Sequence, residues 1–296
     1  MANISHHLQG LLTVLGIAGL AGFGLLLFLL ERAVPLRKAT RALLGRLVVN
    51  LAFSALALAA ALLLVQPAVK ASLGRLAEEP FGLVHLVALP TPLRGVLAFL
   101  LMDLSFYYWH LLNHRVPLLW RFHNVHHIDP DLDVSTALRF HFGELAFSAG
   151  FRIVQILAIG VPAWIYLAYE VTFQANTLFH HSNVRLPIRL ERALNRVLVT
   201  PRMHGIHHSH VRRETNSNYG VIFPWWDRLH RTLGLNVPQS AITIGVPAYS
   251  NPDDNRLWDA IWLPFRKQRD YWRRPDGTPA TREDSPDRPD RYHLAE

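Results

Sequence analysis

Residues 110–127 read HLLNHRVPLLWRFHNVHH and decide how the rest of the chain is organised. They contain a pair of histidines four residues apart and then a triad at offsets of three and four: His110, His114, His123, His126 and His127. On a helix with about 100° per residue, residues three or four apart lie on the same side, so we expect each set to point one way. A lone surface histidine or a purification tag does not produce this spacing.

The HxxHH spacing of the triad occurs a second time further along the chain, and another histidine pair lies between the two triads. These additional histidines are His180, His181, His204, His207 and His208. Because spaced histidines recur on separate segments, the sequence predicts that they converge on a metal site.

The composition limits both the ligands and the class of protein. Half of the residues are apolar and they are unevenly distributed, which indicates a membrane protein. Cysteine is absent, which excludes disulfides, zinc ribbons, iron–sulfur clusters and thiolate-bound haem. The formal charge of +8 comes from loops beside apolar segments and from the C-terminal tail, so anionic lipid headgroups explain it better than nucleic acid does.

The first apolar run covers residues 11–30 and is uncharged. At 1.5 Å per residue it spans about 30 Å, the thickness of the hydrocarbon core. The run is longer than the core of a signal peptide, and we expect it to be a retained anchor. The basic loop that follows is predicted to be cytoplasmic by the positive-inside rule.

Two more spans follow before the histidines. Residues 47–66 form the second, and residues 95–109 are the better half of a third apolar region over residues 81–109. The third span contains Asp103, which we expect to lie near a helix end or to face another polar group, because an acid in the bilayer is costly. This count places the histidines on the cytoplasmic side.

The fourth apolar region, residues 147–173, contains Pro162 near its middle. We expect a hairpin that enters and leaves on one side, with Pro162 at its turn, because basic segments flank the region on both sides. A short helix along the membrane interface is predicted next from four apolar positions with helical spacing: Leu190, Leu194, Val197 and Leu198.

The predicted fold class is therefore all-α: a polytopic membrane protein with about four transmembrane or re-entrant helical regions and a cytosolic, histidine-rich helical cap. We divide the chain into an N-terminal anchor with a basic loop (1–46), a membrane-embedded catalytic domain (47–235), an interfacial segment rich in aromatic and basic residues (236–272) and a disordered tail (273–296).

Neutral imidazole suits iron, copper, zinc and nickel, and there are too many candidate ligands for one tetrahedral zinc ion. Two metal ions that share the set are the simplest solution. A metal-bound imidazole normally donates its second N–H to another group. Candidates for that role are Asp103, Asp129, Glu144, Asn183, Asn218 and Asp227.

The order of the histidine segments resembles a known family. HLLNH (110–114), HNVHH (123–127), HHSN (180–183) and TPRMHGIHH (200–208), followed by NYG (218–220) and WDRL (226–229), are similar to motifs of the fatty acid hydroxylase and sterol desaturase superfamily, whose members are integral membrane di-iron enzymes. The resemblance covers roughly residues 47–233. The ligands it implies are His110, His114, His123, His126, His127, His204, His207 and His208, with one or both of His180 and His181.

Within the last pair, the HSN context favours His181. His141 resembles a recurrent Arg-Phe-His element of the family, and we expect it to be structural. His210 and His230 are not expected to be ligands.

The resemblance implies two iron ions, oxygen as co-substrate, and hydroxylation or desaturation of a lipid C–H position. The sequence has no haem domain, dinucleotide fingerprint or cysteine cluster, so electrons would come from a separate donor protein of the ferredoxin or cytochrome type with its reductase. The expected location is a bacterial-type inner membrane or an ER-like membrane, with the active site on the cytoplasmic side. The partners are the lipid and the donor, without nucleic acid.

Two other functional classes remain open at this stage. A zinc-dependent membrane hydrolase would use fewer ligands and usually carries HExxH, which is absent. A metal transporter or storage protein would place its ligands at mid-membrane depth rather than after the spans. The sequence does not distinguish among sterol, fatty acyl and related lipid substrates, or between hydroxylation and desaturation.

Overall fold

The computed structural model describes the backbone of residues 2–282 and the side chains from residue 16 onward. In chain order the α-helices are α1 (Ala2–Ala33), α2 (Leu43–Ala60), α3 (Gln66–Glu78), α4 (Thr91–Arg115), α5 (Pro117–His127), α6 (Phe142–Ile159), α7 (Ala163–His181), α8 (Ile188–Leu194), α9 (Pro201–His207), α10 (Arg212–Thr215), α11 (Trp225–His230) and α12 (Leu257–Trp262). Isolated β-bridges join some loops, and no strand occurs within residues 2–282. The predicted all-α class is confirmed.

Four helical segments in the described residues are long and apolar enough to cross a membrane, as the sequence predicted. They are Gly16–Ala33, Leu43–His85, Thr91–Arg115 and Phe142–Ile159. Large apolar side chains on these segments are exposed, among them Leu25, Leu29, Leu44 and Leu63. An exposed leucine surface of this extent requires a cover, which a bilayer supplies.

The second span was predicted to end at residue 66, but its helix extends further. The helix continues through a π-helical turn, Ala61–Val65, into α3. In that turn the Gln66 N–H donates to the carbonyl of Ala61, five residues back. Pro67 follows immediately; a proline ring inside a regular helix clashes with the carbonyl four residues earlier, and the wider turn relieves this. The apolar run therefore ends before the helix does.

The predicted turn beside Pro162 is present, and it joins α6 to α7. Helix α6 ends at Ile159, Gly160 adopts a left-handed conformation with φ of 77°, and Pro162 precedes the first residue of α7. A Cβ atom on Gly160 would lie 2.0 Å from the carbonyl oxygen of Phe81, so only glycine fits this turn.

Apolar contacts of the buried residues hold the helices around the histidines. One cluster joins α3, α4, α6 and α7 through Val69, Met102, Phe106, Ile156 and Tyr169. A second joins α2 and α5 to the C-terminal segment through Phe53, Trp120, Val125, Tyr249 and Leu263. The histidine-bearing ends of α4, α5 and α7 thus belong to packed helices rather than to free loops.

The C-terminal part of the described chain lies along this helical body. Of the predicted interfacial helix, α8 includes Leu190 and Leu194 and ends before the other two apolar positions. Trp258 and Trp262 on α12 are exposed. Within the predicted tail, residues 273–282 make contacts, including an ion pair between Arg282 and Glu214. Residues 283–296, together with His293, lie outside the described residues, as do the side chains of His6 and His7.

Candidate metal centre

The ends of four helices bring the predicted ligands together. His110 and His114 are on the last turns of α4, which stops at Arg115 because Val116 is extended and Pro117 starts α5. Helix α5 then folds back against α4, and the His110 and His123 ring centroids lie 5.2 Å apart. The other histidines lie at the end of α7 and on α9, with His208 directly after α9.

Five of these histidines form the first group, which we call the five-histidine group: His110, His114, His123, His127 and His207. Each offers one ring nitrogen, and these nitrogens all lie within 4.8 Å of one another. His114, His123, His127 and His207 have buried Nε2 atoms without a hydrogen-bond partner among the described residues. Converging, unpartnered nitrogens of this kind fit a metal ion.

The remaining group, the four-histidine group, is fully buried and consists of His126, His181, His204 and His208. The Nε2 atom of His181 lies 3.0 Å from Nε2 of His126 and 3.0 Å from Nε2 of His204. Nε2 of His208 lies 3.2 Å from Nε2 of His204. Nitrogens directed at one another at these distances can also hold a metal ion.

Each HxxHH triad is divided between the two groups, rather than pointing one way as the sequence suggested. From the first triad, the i and i+4 residues His123 and His127 join the five-histidine group while His126 joins the other. The second triad does the reverse: His204 and His208 join the four-histidine group and His207 the other. Consecutive helix residues are about 100° apart, so each helix lies between the two groups and supplies both.

The second ring nitrogen of several ligands donates to a carbonyl or carboxylate. In the five-histidine group, Nδ1 of His110 bonds the Tyr219 carbonyl at 2.9 Å, and Nδ1 of His207 bonds the Ser217 carbonyl at 2.6 Å. Nδ1 of His123 lies 3.0 Å from the Glu144 carboxylate. Since a carbonyl only accepts, the proton of His110 and of His207 is on Nδ1, and Nε2 is left with a free electron pair.

The four-histidine group has one such bond, from Nδ1 of His181 to the Thr177 carbonyl at 2.8 Å. The buried Nδ1 atoms of His126, His204 and His208 have no hydrogen-bond partner among the described residues. The His126 ring is instead stacked on Phe140, with centroids 4.7 Å apart and an interplanar angle of 9°.

Of the six side chains predicted to support the ligands, Glu144 alone bonds one of the predicted ligand histidines. Asn218 and Asp227 support the ligands indirectly, through the backbone whose carbonyls accept from the histidines. Asn218 has a left-handed φ of 58° and lies between the two carbonyls that receive His207 and His110. Asp227 accepts the N–H groups of Tyr219 and Gly220, each at 2.8 Å. These carbonyl acceptors carry no side-chain signal, and sequence reasoning missed them.

Asp103 and Asp129 fix neighbouring segments instead. Asp103 lies mid-helix and accepts from Trp226 Nε1 at 2.8 Å and from two backbone N–H groups, so it faces polar partners as expected. Asp129 receives two guanidinium nitrogens of Arg46, at 2.8 and 2.9 Å. This bidentate pair joins α2 to the loop that directly follows His127. Asn183 bonds the backbone of Arg37.

The environment keeps these imidazoles neutral, the form that binds metal. Burial lowers the pKa of His204, His207 and His208 well below its usual value, and the surrounding histidines lower it further. A neutral ring with a protonated Nδ1 presents an unprotonated Nε2. The donor set is entirely nitrogen, which suits a transition metal and not magnesium or calcium.

Four of the histidines discussed above fall outside both groups, and one of them, His180, was a predicted ligand. His180 lies next to the four-histidine group, with its ring centroid 4.1 Å from that of His204, but belongs to neither group, whereas its neighbour His181 does. His141 caps α6 by accepting the Gly143 N–H, and its Nε2 bonds the Ile261 carbonyl. His210 and His230 also lie outside the groups.

A cavity of about 460 Å³ reaches the histidines from between the helices. Its lining is mainly apolar, with Leu58, Phe106, Trp109, Leu138 and Phe173. Members of both histidine groups form part of its wall: His110, His123, His126, His181 and His204. A volume of this size is typical of a pocket for a small apolar ligand.

The helices and the two histidine groups together define a helical membrane protein with a nitrogen-lined site that could hold metal ions. Residues 95–232 match the model of the fatty acid hydroxylase family. The predicted resemblance is thereby confirmed.

Three relatives illustrate the family's range. The chain is 31% identical over 157 residues to an ornithine lipid hydroxylase of Rhizobium tropici, a match that covers 53% of this chain and 46% of that protein. It is 31% identical over 138 residues to human (Homo sapiens) alkylglycerol monooxygenase, covering 46% of this chain and 29% of the relative. With human cholesterol 25-hydroxylase it is 31% identical over 137 residues, 45% of this chain and 48% of the relative.

The chain thus matches less than half the length of each of these relatives. No solved structure is significantly similar to it.

Proposed function

We propose that this protein is a membrane-bound oxygenase that oxidises a C–H position of a lipid, with oxygen as co-substrate and two iron ions as cofactor. The catalytic unit would be residues 47–235. The observation that carries the proposal is the pair of buried histidine groups in the wall of one apolar cavity. A hydrolase with one zinc ion would need only one of the two groups.

Each histidine group would hold one ion: His110, His114, His123, His127 and His207 the first, and His126, His181, His204 and His208 the second. His180 contributes to the wall of the cavity. Iron in particular is supported by the family resemblance, since imidazole alone binds copper or zinc at least as well. When bound, such a pair of ions would supply the redox chemistry for activating oxygen, which side chains alone do not provide.

The chain's own residues orient the ligands and keep water out. Glu144 and the carbonyls of Thr177, Ser217 and Tyr219 fix which ring nitrogen faces the ion. The leucine and phenylalanine lining excludes water and holds the lipid by burial of its apolar surface. A C–H bond placed at the cavity wall beside the histidines would be the one oxidised.

The relatives favour hydroxylation over desaturation, because their names are those of hydroxylases and monooxygenases. Those names refer to three different lipids, so we assign a lipid and not a particular one. The electrons would come from a separate ferredoxin-type or cytochrome-type donor with its reductase. We place the histidine site on the cytoplasmic side of the membrane, on the basis of the arginine-rich loops that flank it.

The proposal is tested by metal analysis and oxygen uptake of the detergent-purified protein after growth with ample iron. We expect about two iron ions per chain, and oxygen uptake that requires both a reductase system and a lipid. In a His126→Ala/His207→Ala double variant, which removes one ligand from each group, both the iron and the oxygen uptake should be lost.

The matched control is His230→Gln, a histidine outside both groups, which should retain iron and activity. One tightly held zinc ion, with no oxygen uptake after reconstitution with iron, would overturn the oxygenase and favour a hydrolase.

A further inference from the structure

An ion pair lies inside the α6–α7 hairpin, at a depth where charges are rare. The Arg152 guanidinium bonds the Glu170 carboxylate through both terminal nitrogens, with the second contact at 3.0 Å. Arg152 is ten residues from Phe142, at which the span begins, which is about 15 Å along the helix and about halfway across a bilayer. An ionisable side chain at this depth is costly and is usually retained for a function.

The guanidinium is buried but not fully satisfied. The Arg152 side chain is 7% exposed and that of Glu170 is 22% exposed. The guanidinium carbon lies 4.4 Å from the centre of the Phe106 ring, and Nε has no hydrogen-bond partner among the described residues. A buried donor without a partner is destabilising, so a ligand that accepts a hydrogen bond from it would bind more tightly.

Arg152 lines the same cavity as the histidines. Along α6 the lining residues Glu144, Ser148 and Arg152 are four residues apart and therefore share one face. Glu144 at one end bonds His123, and Arg152 is eight residues away, about 12 Å along the axis. The cavity thus has the histidines near the Glu144 end of this face of α6 and a charged donor near the Arg152 end.

We propose that Arg152 binds an uncharged oxygen of the lipid substrate and thereby sets which carbon lies beside the histidines. The proposal rests on the proposed function. Glu170 already neutralises the guanidinium, so the site favours a hydroxyl or a carbonyl oxygen over a carboxylate or phosphate. A separation of about 12 Å corresponds to roughly ten bonds of an extended chain, at about 1.2 Å per bond.

Equilibrium binding of radiolabelled 1-dodecanol, dodecane and dodecanoate to the purified protein tests this without turnover. Comparing each probe ratio between the unmodified protein and its variants removes differences in detergent partitioning, which are the same for every protein. In the unmodified protein dodecanol should bind about tenfold more tightly than dodecane, as expected for one hydrogen bond to a charged group. Dodecanoate should bind no better than dodecane.

Two variants separate recognition from structure. In Glu170→Gln the guanidinium loses its counter-charge, and dodecanoate should gain at least about tenfold relative to dodecanol. In Arg152→Met/Glu170→Met, which leaves no unpaired charge, the preference for dodecanol over dodecane should vanish. The control is Arg75→Met/Glu79→Met, which removes an exposed ion pair outside the cavity and should change neither ratio.

Unchanged probe ratios in both cavity variants, with native gel-filtration behaviour and iron content, would show that the pair is only structural and overturn the proposal. If the double variant does not fold, the Glu170→Gln ratio still decides. Where the oxygenase assay is active, the carbon oxidised should shift in the double variant. Binding preferences without oxygen uptake in any protein would support oxygen binding by Arg152 and overturn the proposed function instead.

Discussion

The two histidine groups share helices α5 and α9 but are held in different ways. In the five-histidine group, three rings donate to acceptors on other segments, namely Glu144 and the carbonyls of Ser217 and Tyr219. In the four-histidine group, His181 alone has such an acceptor, and it lies on the same helix. In that group the His126 ring has no hydrogen bond at Nδ1 among the described residues and is stacked on Phe140 instead.

This difference bears on how tightly each group would hold a metal ion. An outer acceptor fixes the ring and raises the basicity of the metal-binding nitrogen, and its loss typically costs 10- to 100-fold in affinity. The five-histidine group has more of these acceptors and one more ligand. We therefore expect its ion to be the more tightly held of the two.

The largest effect is expected from removing one ligand of either group. His114→Ala and His204→Ala should each lower lipid oxidation by at least about 100-fold and reduce the iron content from about two ions per chain to about one. The measurements are product formation and metal analysis on the same preparations. Loss of both ions from either variant would mean that the groups form one unit, and the comparison between them would no longer hold.

The next effect concerns the carboxylate that supports His123. Glu144→Ala should weaken iron binding by the five-histidine group about 10- to 100-fold, because Nδ1 of His123 loses its acceptor. The measurement is iron affinity in a His204→Ala background, where the five-histidine group is the one left intact. In a His114→Ala background the same substitution should have little effect, and an equal loss there would contradict the assignment.

Metal removal provides a smaller but direct comparison. During dialysis against increasing chelator, the ion retained by His114→Ala, which keeps the four-histidine group, should be lost at about tenfold lower chelator concentration than the ion retained by His204→Ala. Residual iron in each sample is the readout. The opposite order would show that stacking holds the rings better than hydrogen bonds do.

The smallest effect is expected at that stack. Phe140→Leu keeps an apolar side chain but removes the aromatic face against His126, and should weaken iron binding by the four-histidine group about threefold. The affinity is measured in the His114→Ala background. No change would show that the burial of His126, rather than the ring contact, fixes its orientation.

Local patterns made much of the fold predictable from sequence. The apolar runs identified the spans, and Pro162 marked the turn of the hairpin, because both signals depend on neighbouring residues. The spacing of the histidines singled out ten candidate ligands, and the structure gathers nine of them into two groups. Within the middle pair, the HSN context rather than the spacing favoured His181 over His180.

Other features depend on how distant segments meet and had no local signal. The division of each HxxHH triad follows from the placement of α5 and α9 between the groups. The acceptors of His110, His181 and His207 are backbone carbonyls, which every residue has. The Arg46–Asp129 pair joins residues 83 positions apart. Pro67 is a local signal of the π-helical turn. Because the apolar run ends beside it, the sequence predicted the end of the span there instead.

The π-helical turn Ala61–Val65 makes α2 and α3 together one residue longer than a regular helix between the same two ends would be. A regular helix of the same sequence, without the wide turn, would place the residues of α3 about 100° further around the axis relative to α2. Val69, Ser72 and Leu76, which α3 now buries, would turn away from their partners. The extra residue therefore acts as an angular spacer: it sets the register in which α3 meets α6, the helix that carries Glu144 and Arg152.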